Sequence, residues 1–289
     1  MQKLVATFVS LLAMLAGASP RQGLGPIAYD ASGELLSVSP EGERIRCAQT
    51  LLGEIRSPAW SPSGRFLLVE MGRHDGPHRL AILDSWCRLQ RYAKESSAFI
   101  RPHWAPDGKS FFALNYSLPH ALGRWSQDGK TFSIFPVTGL NSGSGRLQGF
   151  SFSPSGTQAA VLEDFKTYQF GDVAADGIHL NPGALEGFSY VSGGVFLSEH
   201  EFVFIGQKDT QLQQLWSFDV RSGTTRNLGI EGFALRDFVA VSPDGAFLVV
   251  CAARTGTPAT AWSLWRFSVA AREMFQLTRG TEDVSPTWR

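Results

Sequence analysis

Histidine and arginine side chains give this sequence its clearest potential for binding chemistry. His74 and His78 stand close to Asp75 in the string Arg73-His-Asp-Gly-Pro-His78. Imidazole nitrogens with a nearby carboxylate are a ligand set that suits a transition metal. His103 and His120 belong to the next stretch of similar sequence. Adjacent structural units can bring such residues together, so a metal site is one hypothesis for this region.

A structural role accounts for the same histidines more simply, and it is the interpretation we favour. His78 and His120 fall in predicted loops, where polar residues are common. His103 falls on a predicted inner strand, where it packs or faces a channel. His179 and His200 lie in a short strand and in a turn, and no function is expected of them. We therefore predict no metal and no cofactor.

Catalytic motifs do not stand out in the sequence. The string Gly139-Leu-Asn-Ser-Gly-Ser-Gly145 lacks the spacing of a nucleophile elbow and does not lead into a helix. There is no P-loop and no H-E-x-x-H. No catalytic residue is therefore predicted, and the polar residues of interest are binding candidates. These candidates are Arg73, His74, His78, Arg101, His103, His120, Arg236 and Arg254.

Composition narrows the class of protein. Lys plus Arg and Asp plus Glu each number 26, which argues against a nucleic-acid-binding protein, since such proteins carry a basic excess. Apolar residues make up 43% of the 289 residues and charged residues 18%, enough to build a core. With 21 Phe, 8 Trp, 30 Gly and 15 Pro, the chain favours an all-β fold with many turns.

A repeat of about 45 residues runs through the chain and positions these candidates. An extended segment, a Ser-Pro-x-Gly-like turn and a second extended segment recur. The large residue that precedes each turn recurs at intervals of 44, 48, 44, 45 and 47 residues. These reference residues are Trp60, Trp104, Phe152, Phe196, Val241 and Trp288. A unit of this length built of short strands is typical of a β-propeller blade.

The two ends of the chain complement each other within this scheme. Residues 26–30 and 35–50 match strands two, three and four of a blade, and 283–289 match a first strand alone. The sequence therefore predicts a six-bladed propeller of four-stranded antiparallel blades, closed by pairing the C-terminal strand with the N-terminal blade. Such closure removes two free sheet edges.

Small residues precede most of the reference residues. Positions one and three before them hold Ala, Ser, Gly, Val or Thr in most copies, which fits the close approach of blades near an axis. His103 and Arg101 depart from this pattern in one copy, and Phe238 departs in another.

The N-terminus has the pattern of a targeting segment. Lys3 precedes an apolar run that ends in Ala16-Gly17-Ala18, so residues 1–18 are predicted to be a secretory signal peptide and residues 19–289 the propeller. The alternatives are an uncleaved anchor or a buried strand. We expect a periplasmic or secreted protein with no membrane span after cleavage.

Three cysteines leave the disulfide pattern open. Cys251 lies in an apolar run and is expected to pack in a strand, whereas a bridge between Cys47 and Cys87 is an alternative that the spacing does not decide.

The repeats resemble the TolB-type, WD-like propeller repeat, whose consensus reads approximately Pro-x-Trp-Ser-Pro-Asp-Gly. The likeness is best at 57–64, 101–108, 242–245 and 277–288 and covers about 26–289. TolB carries a further domain before its propeller, which we do not expect in this chain. The resemblance implies protein–protein binding at one propeller face. We expect the partner to be a protein or peptide of the cell envelope, and we expect a monomer that does not bind nucleic acid.

Two other functions stay open. Some TolB-like propellers are metal-dependent lyases, which makes a metal-dependent carbohydrate lyase or hydrolase one alternative. A small-ligand or glycan binder that uses the central channel is the other. The expected binding surface is the long-loop face, defined by loops that join strands two and three or successive blades. These loops are 70–79, 115–122, 137–148, 207–213, 230–237 and 254–260.

Overall fold

The computed structural model describes residues 24–45, 53–72, 77–115, 117–118, 120–141, 146–183, 185–209, 211–257, 262–279 and 283–289. The regular elements in these ranges are β-strands. They are β1 (Ile27–Ala31), β2 (Glu34–Val38), β3 (Arg44–Ile45), β4 (Glu54–Trp60), β5 (Phe66–Gly72), β6 (Arg79–Asp84), β7 (Leu89–Tyr92), β8 (Ile100–Trp104), β9 (Ser110–Leu114), β10 (Ala121–Ser126), β11 (Phe132–Thr138), β12 (Leu147–Phe152), β13 (Gln158–Glu163), β14 (Thr167–Val173), β15 (Ile178–Leu180), β16 (Tyr190–Phe196), β17 (Glu201–Gln207), β18 (Gln214–Asp219), β19 (Thr224–Asn227), β20 (Phe233–Val241), β21 (Phe247–Arg254), β22 (Ser263–Ser268), β23 (Met274–Gln276) and β24 (Asp283–Trp288). These ranges include no helix with the length and apolar character needed to cross a membrane.

The strands form antiparallel runs of four. Four sheets have the orders β24-β1-β2-β3, β4-β5-β6-β7, β16-β17-β18-β19 and β20-β21-β22-β23. A fifth sheet contains the runs β8–β11 and β12–β15, which are joined by a short parallel pairing of β11 with β15. The sequence does not predict this junction. It depends on Gly139 and Gly177, where a Cβ would lie 2.6 Å from the Leu180 carbonyl oxygen and 2.7 Å from that of Pro136.

The two ends of the chain meet in one sheet, as the sequence predicts. β24 pairs antiparallel with β1, and Ile27 lies opposite Trp288. The Trp288 indole also donates a hydrogen bond to the Gly25 carbonyl oxygen at 3.0 Å. This sheet therefore combines residues from both ends of the described chain.

The first strands of successive sheets approach one another around a common axis. β4 contacts β8 and β24, β16 contacts β12 and β20, and β20 contacts β24. Large reference residues fill the space between sheets. The Trp104 indole donates to the Ala59 carbonyl oxygen at 3.1 Å, and the Trp60 N–H donates to Thr287 Oγ1 at 3.1 Å. The pairing of a large residue with a small one on the neighbouring sheet is thus observed.

The predicted turn chemistry is also observed in the first hairpins. Gly64, Gly108, Gly156 and Gly245 have φ values of +64°, +67°, +74° and +70°. The Gly64 N–H donates to the Ser61 carbonyl oxygen at 2.8 Å, which closes the turn. Glycine is favoured at this position because other residues are strained at positive φ.

The described cysteines differ in whether they form a disulfide bond. Cys87 is disulfide-bonded, and Cys47 lies outside the described residues. Cys251 is a fully buried thiol on β21, in agreement with the packing role predicted for it.

Gly171 offers a test of the sheet around the junction. A Cβ at this position would lie 2.2 Å from the His179 carbonyl oxygen and 2.5 Å from the Leu180 Cα, which are backbone atoms of β15. Because backbone atoms cannot rotate away, Gly171→Ala is expected to lower the free energy of unfolding by about 1–3 kcal/mol in urea titrations. Gly149→Ala is the matched control, since its Cβ would meet only Leu162 side-chain atoms at 3.6 Å or more. Equal stability of the two variants would contradict the pairing register of β14 with β15.

Candidate functional site

A narrow channel runs along the axis between the first strands. Its cavity of about 100 Å³ is lined by the residue three positions before each reference residue. These lining residues are Ser57, Arg101, Gly149, Gly193, Phe238 and Ser285. The same repeat position therefore lines the channel in every copy. Arg101 and Phe238, which depart from the small residues found at this position elsewhere, are the largest of these six residues.

Bulges in the first strands direct residues toward the channel. Pairing shifts register between Arg56 and Ala59, and between Ile100 and His103. Ser57, Arg101 and Ser285 have φ values of +48°, +51° and +49°. This left-handed conformation is costly for residues other than glycine, and bulges commonly re-aim side chains next to binding sites.

Arg101 is held in the channel by contacts to other four-stranded runs. Its backbone N–H donates to Glu70 Oε1 at 2.6 Å, and its Nη1 donates to the Gln148 carbonyl oxygen. The guanidinium carbon lies 5.8 Å from the Phe165 ring centroid and 5.9 Å from that of Phe238. A cation positioned in this way favours an anionic or hydrogen-bond-accepting group in the channel.

A tyrosine and a carboxylate lie near Arg101. The Tyr190 hydroxyl donates to Asp237 Oδ1 at 2.7 Å. Burial raises the pKa of Tyr190 to about 12, and the hydrogen bond and charge of Asp237 act in the same direction. Burial also raises the pKa of Tyr168, whose side chain lines the channel. Both hydroxyls therefore keep their protons at neutral pH, and Tyr190 donates its proton to Asp237.

His103 forms part of the channel wall. Its ring meets Phe150 edge to face at a centroid distance of 5.0 Å. Part of the ring surface is open to the channel, and the channel itself is enclosed by the surrounding strands. Burial, followed by the positive charge of Arg101, lowers the pKa of His103 below its usual value. The imidazole is therefore neutral at pH 7.

A second, wider space lies where the first strands begin. We call it the mouth cavity; it has a volume of about 420 Å³ and shares Asp237 and Phe238 with the channel. Its lining residues are Asp30, Ser32, Gly33, Glu54, Arg56, Arg236, Asp237, Phe238 and Val284. Arg236 is exposed, and its guanidinium carbon lies 5.2 Å from the Trp262 ring centroid. Burial raises the pKa of Asp30 to about 7.

Two described candidates, His78 and His120, do not line the channel or the mouth cavity. Arg73 and His74 lie outside the described residues. The His78 ring packs on Gly72, since a Cβ there would lie 2.9 Å from the histidine Cγ. His120 is exposed, and its carbonyl oxygen accepts the Val137 N–H at 2.8 Å.

Arg254 lies at another site. Its guanidinium carbon is 5.5 Å from the Phe233 ring centroid and 5.4 Å from that of Trp265. It lines a separate cavity of about 370 Å³ with Glu231 and Arg272. Of the predicted candidates, the described structure thus brings together Arg101, His103 and Arg236. Within the described ranges, no three His, Cys, Asp or Glu side chains are placed to hold a metal ion.

Sequence reasoning missed several polar residues of the channel and mouth cavity. The loop predicted over 230–237 includes Asp237, which is wrong because β20 begins at Phe233. Asp30 stands among apolar residues in Ile27–Ala31, and a charged residue inside a buried strand was the available signal. Glu70 gave the same signal, because it is a charged residue within the buried strand Phe66–Gly72, whereas Tyr190 gave none, since its partner lies in another repeat.

Comparisons with known proteins agree on the fold. No family model matches the chain. It is 35% identical over 79 residues to the Tol-Pal system protein TolB of Nitratidesulfovibrio vulgaris, a match that covers 27% of this chain and 18% of the relative. The chain therefore matches less than a fifth of that relative's length.

Solved structures extend the likeness to most of the chain. TolB from Acinetobacter baumannii superposes with a TM-score of 0.65 at 17% identity, over 91% of this chain and 66% of that one. A chain of a nidogen/laminin complex gives 0.67 at 11%, over 91% and 97%. An oligogalacturonate lyase in complex with manganese gives 0.52 at 14%, over 89% and 73%. The chain is thus similar to TolB in part of its sequence, and its fold is that of the TolB-type β-propeller.

Proposed function

We propose that this chain is an exported, non-catalytic propeller of six blades that binds a protein or peptide partner of the cell envelope through its long-loop face. Six successive antiparallel runs of four strands support the blade count. The signal-peptide pattern of residues 1–18 supports export of the domain formed by 19–289. The similarity to a Tol-Pal system protein supports an envelope partner.

The observation that carries this proposal is the collection of charged groups at one end of the channel. Arg56 and Arg236 are exposed there, and Asp237 joins the mouth cavity to the channel. The mouth cavity, at about 420 Å³, has room for side chains of a docked partner. Long loops around such an end are where rigid scaffolds usually bind.

The size of the channel argues against a glycan bound inside the channel itself. The channel cavity of about 100 Å³ is smaller than the roughly 300–1,000 Å³ of typical small-molecule sites. A single side chain fits such a space, whereas a saccharide ring with its hydration does not. The metal-dependent alternative depends on His74 and Asp75, which lie outside the described residues, and no group of three metal ligands is found among the described ones.

Crosslinking in the native host tests which face binds. A photoreactive amino acid at Arg236 or Arg254 is expected to give a discrete crosslinked partner band. Arg65 and Lys109 are matched control positions, because they are exposed basic residues in the first hairpin turns on the opposite face. Crosslinks that appear only from Arg65 or Lys109 would contradict the proposed face.

A further inference from the structure

Asp30 is a buried carboxyl whose hydrogen bonding is incomplete. It lies on β1, and only 6% of its surface is exposed. The Ser285 hydroxyl hydrogen-bonds its side chain. Its Oδ1 is buried and has no hydrogen-bond partner among the described residues. A buried polar group without a hydrogen-bond partner lowers the stability of the folded state. Such groups are typically kept where a ligand supplies the missing partner.

The charged neighbours of Asp30 do not neutralise it. Arg56, the cation that acts on it, is paired with Glu54 through a hydrogen-bonded ion pair. Glu70 adds negative charge and is itself bound to the Arg101 N–H. In the mouth cavity Asp237 accepts the Tyr190 hydroxyl, and the Arg236 guanidinium lies over Trp262. The Asp30 carboxylate therefore lacks a positively charged hydrogen-bond donor beside it.

A protonated amine suits the Asp30 carboxylate better than a metal ion does. Calcium or magnesium needs six or more oxygen ligands, and the described carboxylates do not come together in a group of three. An ammonium group needs few acceptors and gains most from a single buried carboxylate. We propose that Asp30 in the mouth cavity anchors a protonated amino group, such as a lysine ammonium, of the bound partner. This inference rests on the proposed function and specifies part of its ligand.

Binding of a cation beside Asp30 also has a proton signature. Burial holds the pKa of Asp30 at about 7, so the group is partly protonated at neutral pH. A positive charge nearby favours the ionised form and lowers that pKa. Uptake of the ammonium group should therefore release protons at pH 7, which calorimetry in buffers of different ionisation enthalpy detects.

The probe is Nα-acetyl-lysine amide, whose only charge is the side-chain ammonium, and its neutral match is Nα,Nε-diacetyl-lysine amide. At pH 8 the ammonium form is expected to bind the wild-type protein, whereas the diacetylated form is not. Asp30→Asn is expected to weaken binding of the ammonium form about tenfold or more. Glu34→Gln, a change at an exposed carboxylate on the neighbouring β2, is expected to leave it unchanged.

A pH series on the unaltered protein keeps the test independent of variant folding. Binding of the ammonium probe is expected to weaken about tenfold between pH 8 and pH 5.5, as Asp30 takes up its proton. Equal binding of both probes, full binding by Asp30→Asn, or binding by neither probe would overturn the amine assignment. So would calcium binding that depends on Asp30. In each of these cases crosslinking from Arg236 still tests the proposed function separately.

Discussion

Trp288→Ala is expected to lower the free energy of unfolding by about 3–5 kcal/mol, the range for removing a large buried aromatic side chain. Trp288 is only 7% exposed and belongs to the apolar cluster between β1, β21, β22 and β24. Its ring stacks on Phe247 at a centroid distance of 6.3 Å, and its indole N–H is bound to Gly25. The substitution therefore removes packing and a hydrogen bond at the one sheet of the described chain that joins both of its ends.

Urea titrations followed by circular dichroism measure this effect. Trp86→Ala is the matched control, because Trp86 lies in the β6–β7 turn with 73% of its surface exposed. That change is expected to alter stability by less than about 0.5 kcal/mol. If Trp288→Ala lost no more than Trp86→Ala, the pairing of β24 with β1 would not contribute to stability, and the closed arrangement would be contradicted.

The sequence was sufficient to predict strands and hairpin turns because these depend on local patterns. Short apolar runs bounded by turn residues indicate the inner strands, and Gly64 or Gly245 indicates a turn whatever lies elsewhere in the chain. The pairing of Trp288 with Ile27 followed from which strands each end lacked. The parallel junction of β11 and β15 did not follow, since it requires close backbone approach between different runs.

Departures from the repeat pattern mark part of the channel wall, whereas Arg236, which lines the mouth cavity, was a candidate as a loop arginine. Arg101 and Phe238 stand at positions where other copies have small residues, and both line the channel. Their partners were not predictable, because Arg101 binds Glu70, 31 residues away, and Tyr190 binds Asp237, 47 residues away. Such contacts are fixed by the arrangement of sheets around the axis, which the spacing of repeats does not specify in detail.

Asp30 should make the stability of the protein depend on pH in a direction opposite to that of most carboxyl groups. Its pKa is raised to about 7 in the folded protein, first by burial and then by the charge of Glu70, although Ser285 and Arg56 act against the shift. In the unfolded chain the pKa is about 4. Between these values the folded state binds the extra proton, so stability is full below about pH 4 and falls as pH rises toward 7.

Asp30→Asn removes this titration while it keeps the shape of the side chain. The variant is expected to gain stability relative to the wild type as pH rises from 4 to 8, by up to about 4 kcal/mol for a shift of this size. Urea titrations of both proteins at several pH values give the difference, in which the titrations of other groups cancel. Glu34→Gln should show no comparable pH-dependent gain, because Glu34 is exposed. A gain for Asp30→Asn that stays constant with pH, or declines as pH rises, would mean that water or an unrecognised partner satisfies the carboxylate, and the demand for a cation in the mouth cavity would disappear with it.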